Sequence, residues 1–241
     1  REMLRDAAAR EIGEEAGLPN VMRWVPFDMD ESDLRNRIKN KMIRPTTIPH
    51  LLEELVLEQA IAKEALRLAF EQHKEFAVTL KGVQRQRGID EAFDTSTSGQ
   101  TIVNMMTLDL IVGSGGVLSH APRRNQAAMM MLDAFLPEGI TKLAVDSIFM
   151  MPQLGVLSTI SEVAAAEVFE KDCLIHLGSC VAPVGPMKGK GHVLEVEIAL
   201  PDGTNYQEKI PAGELILLPC SVDKVAKSIL KPGKGLDLGN G

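Results

Sequence analysis

Leu-Asp-Leu-Ile-Val-Gly-Ser-Gly-Gly-Val-Leu-Ser-His-Ala-Pro-Arg-Arg, residues 108–124, is the stretch that organises this chain. An apolar run at 108–112 leads directly into Gly113-Ser114-Gly115-Gly116, and a helix is expected to begin near Pro122. Where a strand ends in a glycine turn before a helix, bare backbone N–H groups can hold a phosphate or the edge of a nucleotide. Glycine permits both positive φ and close approach of a ligand. The pattern predicts a ligand-binding turn or a tight structural turn.

The flanks of the glycine turn bear on this choice. The turn lacks the Gly-Lys-Ser/Thr ending of a P-loop, and Leu118 stands where G-x-G-x-x-G needs its last glycine. Ser114 and Ser119 offer hydroxyl groups beside the backbone donors. Arg123 and Arg124 fall in the first turn of the next helix, where a cation opposes the helix dipole. An anion or an acidic partner nearby would explain them, and so would exposure to solvent.

Asp146 lies inside an apolar, strand-like run at 143–149. A carboxylate in such a run is costly unless it has a partner. The partner could be a hydroxyl group, a backbone N–H, Arg123 or a ligand. His120, at the exit of the glycine segment, is expected to cap the helix, with contact to a base or ribose as the alternative.

Composition excludes several classes of function. The chain has 241 residues, 45% of them hydrophobic, enough for one large domain or two unequal lobes. A net charge of −7, a pI near 5.3 and only 4% aromatic residues argue against nucleic acid as a partner. No run has the length of a transmembrane helix and no signal peptide is visible, so no membrane partner is expected.

Cysteine usage favours a cytoplasmic protein with reduced thiols. The three cysteines, Cys173, Cys180 and Cys220, are odd in number and form no C-x-x-C pair. All three stand in apolar runs and are predicted to behave as small core residues. A metal site of Cys173, Cys180 and His176 is the weaker alternative, so no metal is predicted.

The order of elements predicts an α/β fold. A long helix is expected from Thr47 to about Phe76, and strands at 108–112 and 143–149 alternate with helices at 122–135 and 152–169. An antiparallel hairpin is expected where Leu194, Val196, Ile198 and Leu200 alternate with Glu195 and Glu197 before a return strand at 206–210. Residues 215–218 are a candidate further strand.

These elements suggest three regions. Residues 1–95 form a mainly helical region, 96–185 an α/β nucleotide-binding lobe, and 186–241 a C-terminal β-hairpin region with a truncated tail. Since the first residues read as the middle of a helix, we expect the chain to be a piece of a longer polypeptide.

Two segments carry a resemblance to a known family. Residues 97–124, which begin Thr-Ser-Gly-Gln-Thr-Ile-Val-Asn-Met-Met-Thr and run through the glycine turn, are one. Leu-Ala-Val-Asp-Ser-Ile-Phe-Met-Met-Pro-Gln-Leu-Gly-Val-Leu-Ser at 143–158 is the other. Together they resemble the glutamate mutase MutL (GlmL) family, which is unrelated to the DNA mismatch-repair protein of that name. The similarity extends over most of the chain.

The resemblance implies a fold and a role. The family belongs by similarity to the actin/Hsp70/sugar-kinase ATPase superfamily, so a ribonuclease-H-like lobe is expected. It implies an ATP-dependent accessory or reactivating factor for adenosylcobalamin-dependent (B12) mutases, which occasionally lose their radical and retain a damaged corrinoid. In the related diol dehydratase reactivases, an ATPase drives release of the damaged cofactor. Whether this chain forms a homo-oligomer is left open.

The resemblance also implies which residues hold the nucleotide. In that superfamily a strand, a Gly-Gly turn and a helix hold the adenosine and α-phosphate side of ATP. Gly113, Ser114, Gly115 and Gly116 would line ATP or ADP with Mg²⁺, with Ser119 beside them and Asp146 opening the next element of the lobe.

The superfamily's first phosphate loop, Asp-x-Gly-(Ser/Thr)-x-(Ser/Thr), is not found in these residues, and 94–97 does not reproduce it. The resemblance implies that the full-length protein is an ATPase. Because the first phosphate loop is missing from these residues, we expect the catalytic residues and the Mg²⁺ ligands to lie outside this chain. Two alternatives stay open: a small-molecule kinase of the same superfamily, and a non-catalytic assembly module for a mutase.

Overall fold

The computed structural model describes residues 17–79, 103–186, 191–200, 203–218, 220 and 225–239. They divide into two compact units. The first, the helical unit, comprises the chain up to Asn104 together with Ser114–Leu136, and the second, the sheet unit, comprises Met105–Gly113 together with residues from Pro137 onward. These units differ from the three predicted regions, because the glycine turn and the helix after it group with the helical part of the chain.

In its described residues, the helical unit begins with three helices that pack around a shared apolar core. Helix α1 spans Gly17–Met22, α2 spans Glu31–Ile43 and α3 spans Leu52–Thr79. Asp30 begins α2 by accepting the N–H groups of Ser32 and Asp33 at 3.0 and 3.3 Å, a standard N-cap. The side chains buried between these helices are all apolar: Leu18, Val21, Leu34, Ile38, Leu57 and Ala60.

Two later helices complete the helical unit. Helix α4 is the single turn Gly116–Ser119, and α5 spans Arg124–Phe135. Helix α5 packs against α3 through an edge-to-face contact of Phe70 and Phe135, whose ring centroids lie 5.4 Å apart, and through an ion pair of Lys63 and Asp133 at 2.7 Å. The predicted helix at 122–135 is confirmed, two residues shorter at its start.

The described residues of the sheet unit form two small sheets. In the first, β1 (Leu110–Gly113) pairs in parallel with β2 (Gly139–Asp146), which pairs antiparallel with β3 (Leu174–Ala182). Two helices connect β2 to β3: α6 (Met151–Ser158) and α7 (Glu162–Val168), followed by a π-helical turn at Phe169–Cys173. The strand predicted at 143–149 thus ends at Asp146, and residues 147–149 form the connection to α6.

The second sheet confirms the predicted hairpin and adds a strand. Strand β4 (His192–Ala199) lies between β5 (Asn205–Pro211) and β6 (Lys227–Pro232), antiparallel to both. Leu194 and Val196 are buried, whereas Glu195 and Glu197 face Lys209 and Lys231 at 2.7 and 3.0 Å on the other face. The alternation in the sequence therefore predicts the faces correctly.

Other predictions need correction or fall outside the described residues. Residues 215–218 are not a strand. The helix predicted at 152–169 is broken, because Ser161 starts a new helix by accepting the N–H of Ala164 at 3.3 Å. The charged and hydroxyl side chains at 82–98 predict a polar loop, and the lysines at 188 and 190 predict a basic glycine-rich turn; both segments lie outside the described part. The fold is mixed α/β with small sheets, and the ribonuclease-H-like lobe stays a prediction.

Candidate functional site

The glycine turn follows β1 and forms the start of α4. Gly115 has φ +130°, a backbone conformation that residues with a side chain rarely adopt. It is the N-cap residue of α4. Its carbonyl accepts the N–H groups of Leu118 and Ser119 at 3.1 and 2.9 Å. The backbone conformation alone therefore explains a glycine at position 115.

Gly116 is different. It is the first residue of α4, it is exposed, and φ there is not positive. A Cβ built on Gly116 would meet no atom within 4 Å. Among the residues that the structure describes, neither backbone strain nor packing requires a glycine at this position. The amide groups at the start of a helix also have no acceptor within the helix.

The segment after the turn is held by a basic side chain. Arg124 donates from Nη1 to the carbonyl oxygen of Ser119 at 2.8 Å. Ser119 itself is buried, and the N–H of Arg123 donates to Oε1 of Gln126 at 3.0 Å. The sequence predicts that Arg124 either binds an anion or is exposed to solvent. In the structure it stabilises the connection between α4 and α5 through its hydrogen bond to Ser119.

Asp146, the last residue of β2, is completely buried. Its Oδ1 accepts the N–H groups of Ile148 and Met150, both at 3.3 Å, and its Oδ2 accepts the N–H of Met151 at 3.1 Å. Of the partners considered from the sequence, the structure therefore provides backbone N–H groups. The carboxylate positions the turn that leads into α6.

The strand register places Gly113 and Asp146 at one edge of the first sheet. Gly113 is opposite Val145, so β1 and β2 end within one residue of each other in the same direction. The carboxyl ends of parallel strands are where α/β proteins bind ligands. The other predicted nucleotide residues, Ser114, Gly115, Gly116 and Ser119, belong to the helical unit.

Backbone strain accompanies this edge. Phe149, three residues after Asp146, has φ +62°, which is unusual for a bulky residue and costs on the order of 1–3 kcal/mol. The three hydrogen bonds to Asp146 stabilise the turn in which this conformation occurs. Strained, over-determined turns of this kind cluster at functional sites.

A buried ion cluster in the helical unit was not predicted from the sequence. Glu64 on α3 is completely buried, and its carboxylate accepts hydrogen bonds from Arg23 at 2.7 Å, from Nε1 of Trp24 at 3.1 Å and from Arg67 at 2.5 and 3.2 Å. The signal in the sequence is its spacing: Glu64 follows the core residue Leu57 by seven residues, on the apolar face of a helix.

The electrostatics of this cluster favour the charged carboxylate. Burial alone would raise the pKa of Glu64, but the hydrogen bonds from Arg67 and Trp24 and the charges of Arg67 and Arg23 lower it below its ordinary value of 4.5. The hydrogen bond to Glu64, with a further contribution from Glu71, raises the pKa of Arg67. The cluster joins α3 to the segment after α1.

The cysteines differ in exposure. Cys173 is buried, and burial, with the nearby carboxylates of Asp146 and Asp172, raises the pKa of its thiol. Burial also raises the pKa of half-buried Cys180. Cys220 is exposed, so its predicted place in the core is wrong.

The described residues contain neither a cluster suited to a metal ion nor a helix suited to a membrane. Within the described ranges, no group of three or more His, Cys, Asp or Glu side chains is placed to hold a metal ion. Over the same residues, no helix has both the length and the apolar character needed to cross a membrane.

Comparison with known proteins gives one match. A protein-family model described as "MutL protein" matches residues 6–173, more than half of the chain, and the match includes the glycine turn and Asp146. Searches of curated proteins and of solved structures gave no match.

Proposed function

The chain belongs to the MutL family associated with glutamate mutase, and from this membership we propose that it is part of an accessory factor for an adenosylcobalamin-dependent mutase. The mutase would be of the glutamate mutase type. The factor would restore enzyme that has lost its radical and retains a damaged corrinoid. The chain's share of this work would be to bind a nucleotide.

The segment Ser114–Gly116 would hold the nucleotide, ATP or ADP with Mg²⁺. The observation that carries this part of the proposal is the open space at Gly116, an exposed glycine that neither φ nor protein packing requires. A ligand approaching the backbone closely would require a glycine there. Gly113 precedes the segment, at the carboxyl end of a strand in a parallel pair. ATP, when bound, would supply the free energy for a conformational change.

Ser119 would support the nucleotide segment rather than contact the nucleotide, and Asp146 would fix the turn after β2 in its own unit. Ser119 is buried and its carbonyl is bound by Arg124, and both oxygens of Asp146 accept backbone N–H groups. Their place in the proposal is to fix the two turns at the ends of α4 and β2.

One alternative has an observation in its favour: an assembly module for a mutase in which the glycine turn is purely structural. The φ of +130° at Gly115 accounts for that glycine without any ligand. This alternative predicts that a side chain at position 116 leaves nucleotide affinity unchanged, because nothing then approaches that residue.

Titration of MgATP and MgADP into the full-length protein by calorimetry separates the two. The variants are Gly116→Val and, as a matched control, Gly155→Val, since Gly155 is also an exposed helical glycine with no atom within 4 Å of its Cβ position. We expect Gly116→Val to weaken binding at least about tenfold through steric exclusion and Gly155→Val to change it less than about twofold. Equal affinities in all three proteins would refute the nucleotide site.

A further inference from the structure

The stretch from the second turn of α2 to the first residue of α3 has an unusual composition for this acidic chain. Residues 34–52 contain five Lys or Arg residues and no Asp or Glu, whereas the whole chain has a net charge of −7. The same stretch contains highly exposed apolar side chains: Ile43 is 76% exposed, Ile48 72% and Leu52 75%. Exposed apolar side chains that cluster in this way mark interaction sites.

A concave pocket lies in this stretch. Its volume is about 560 Å³, within the range of ligand-binding pockets, and it is formed by the end of α2, the turn at 44–51 and the first half of α3. We call it the α2–α3 pocket. The residues that line it include Arg37, Lys41, Ile43, Arg44, Ile48 and Glu58.

Most charges that line the pocket are already paired. Arg37 pairs with Asp33 and Glu53, both at 2.9 Å, and Lys41 pairs with Glu58. Glu54 accepts the backbone N–H groups of His50 and Leu51 at 2.8 and 3.2 Å, and these hydrogen bonds lower its pKa. The acidic side chains of the pocket are thus occupied within the protein.

Arg44 is the exception. Its side chain is exposed, it lines the same pocket as Ile43 and Ile48, and it forms no ion pair with any of the residues that the structure describes. The lining of the pocket therefore combines two exposed apolar side chains with an unneutralised guanidinium group. Its complement is an apolar side chain with a carboxylate beside it.

We propose that the α2–α3 pocket binds an acidic, amphipathic segment of a partner protein, with an apolar side chain seated between Ile43 and Ile48 and a carboxylate on Arg44. A concave pocket suits an inserted side chain better than it suits a lipid surface. This inference goes beyond the nucleotide site and does not depend on it.

The test begins with a library of random twelve-residue peptides displayed on phage and selected on the full-length protein. We expect enrichment of peptides that combine Leu, Ile or Phe with Asp or Glu. The most enriched peptide is then synthesised with a fluorescent label, and its affinity is measured by anisotropy. No enrichment, or enrichment of basic peptides, would overturn the proposal.

Matched variants locate the peptide. Arg44→Glu and Ile48→Ser should each weaken binding at least about fivefold, because they remove the charge partner and the apolar contact. The controls are Lys171→Glu and Ile160→Ser in the sheet unit, where Lys171 is exposed and Ile160 is 84% exposed. Each control should change the affinity for the peptide less than about twofold. A peptide with Lys in place of its acidic residues should bind Arg44→Glu better than it binds the native protein.

Other occupants give different results. If Arg44→Glu weakens the peptide no more than Lys171→Glu does, the pocket is not the binding site. If the native protein binds vesicles with 30% phosphatidylserine and Arg44→Glu abolishes that binding, the partner is a membrane. If Ile48→Ser converts a dimer to a monomer in sedimentation, the partner is a second copy. Unfolding followed by the fluorescence of Trp24 checks that each variant is folded.

Discussion

At the scale of single residues, two carboxylates are completely buried in the part of the chain described, Glu64 and Asp146. Each has hydrogen-bond donors that account for its burial, a requirement for a buried charge. Glu64 joins three side chains of the helical unit, and Asp146 joins three backbone N–H groups of one turn. Both carboxylates therefore hold neighbouring segments of the chain in place.

Glu64→Gln should destabilise the protein by about 2–4 kcal/mol, because it leaves the guanidinium groups of Arg23 and Arg67 without their anionic partner. Glu71→Gln is the control, since Glu71 also pairs with Arg67 but is half exposed. It should cost at most about 1 kcal/mol. Urea unfolding followed by Trp24 fluorescence measures both, and equal effects would contradict the importance of the buried cluster.

Acid should weaken the same cluster. The pKa of Glu64 in the folded protein is lowered from 4.5, so its contribution to stability is complete above pH 4.5 and is lost as the pH falls through the folded value. The difference in unfolding free energy between the native protein and Glu64→Gln should therefore be constant from pH 7 to about pH 5 and shrink below that. A difference that grows at low pH would have the wrong sign.

Asp146→Ala should loosen one turn. Removing the carboxylate leaves the N–H groups of Ile148, Met150 and Met151 without their acceptor. Their amide hydrogen exchange, measured by NMR, should accelerate at least about tenfold. Ser147→Ala, which removes only a hydrogen bond to the carbonyl of Cys173, should leave these three amides nearly unchanged. Unchanged exchange in Asp146→Ala would show that the carboxylate does not hold the turn.

At the scale of elements, the glycines of the turn after β1 are not equivalent. Gly115→Ala should lower the free energy of unfolding by about 1 kcal/mol or more, because an alanine resists φ +130°. Gly116→Ala and Gly155→Ala should each raise it by about 0.5–1 kcal/mol, since both glycines are helical with open space at Cβ. Thermal unfolding of the three variants measures this, and a destabilised Gly116→Ala would remove the argument for a ligand there.

Local patterns predicted the elements that depend on local interactions. The alternation around Glu195 and Glu197 predicted the β4–β5 hairpin because its strands are close in sequence. Strand β6 was missed because its pairing with β4 is non-local and its own sequence alternates weakly. The break between α6 and α7 was missed because Ser161 acts as an N-cap within a stretch that is otherwise apolar.

The candidate site could be predicted only in part. The glycine turn and Asp146 are visible in the sequence because glycines and a carboxylate interrupt apolar runs. The hydrogen bonds of Asp146 to a turn, and of Arg124 to the carbonyl of Ser119, depend on three-dimensional geometry that no spacing encodes. The spacing from Leu57 puts Glu64 on the apolar face of α3, but its partners Arg23 and Trp24, like the α2–α3 pocket, are set by the packing of helices.

At the scale of the whole molecule, the chain is two compact units whose segments alternate along the sequence. The chain passes from one unit to the other at the glycine turn, between Gly113 and Ser114. The family match from residue 6 to residue 173 includes parts of both units. Membership of the MutL family therefore concerns the α/β and helical parts together, while the β4–β6 sheet lies outside the matched residues.

The central claim concerns restoration of an inactive mutase, and a recovery assay tests it most directly. Glutamate mutase inactivated by turnover is mixed with excess adenosylcobalamin, MgATP and the full-length protein, and the return of mutase activity is followed. We expect recovery that requires MgATP, is retained in Gly155→Val and falls at least about tenfold in Gly116→Val. No recovery with the native protein, or equal recovery in Gly116→Val, would contradict the proposed role of the nucleotide turn.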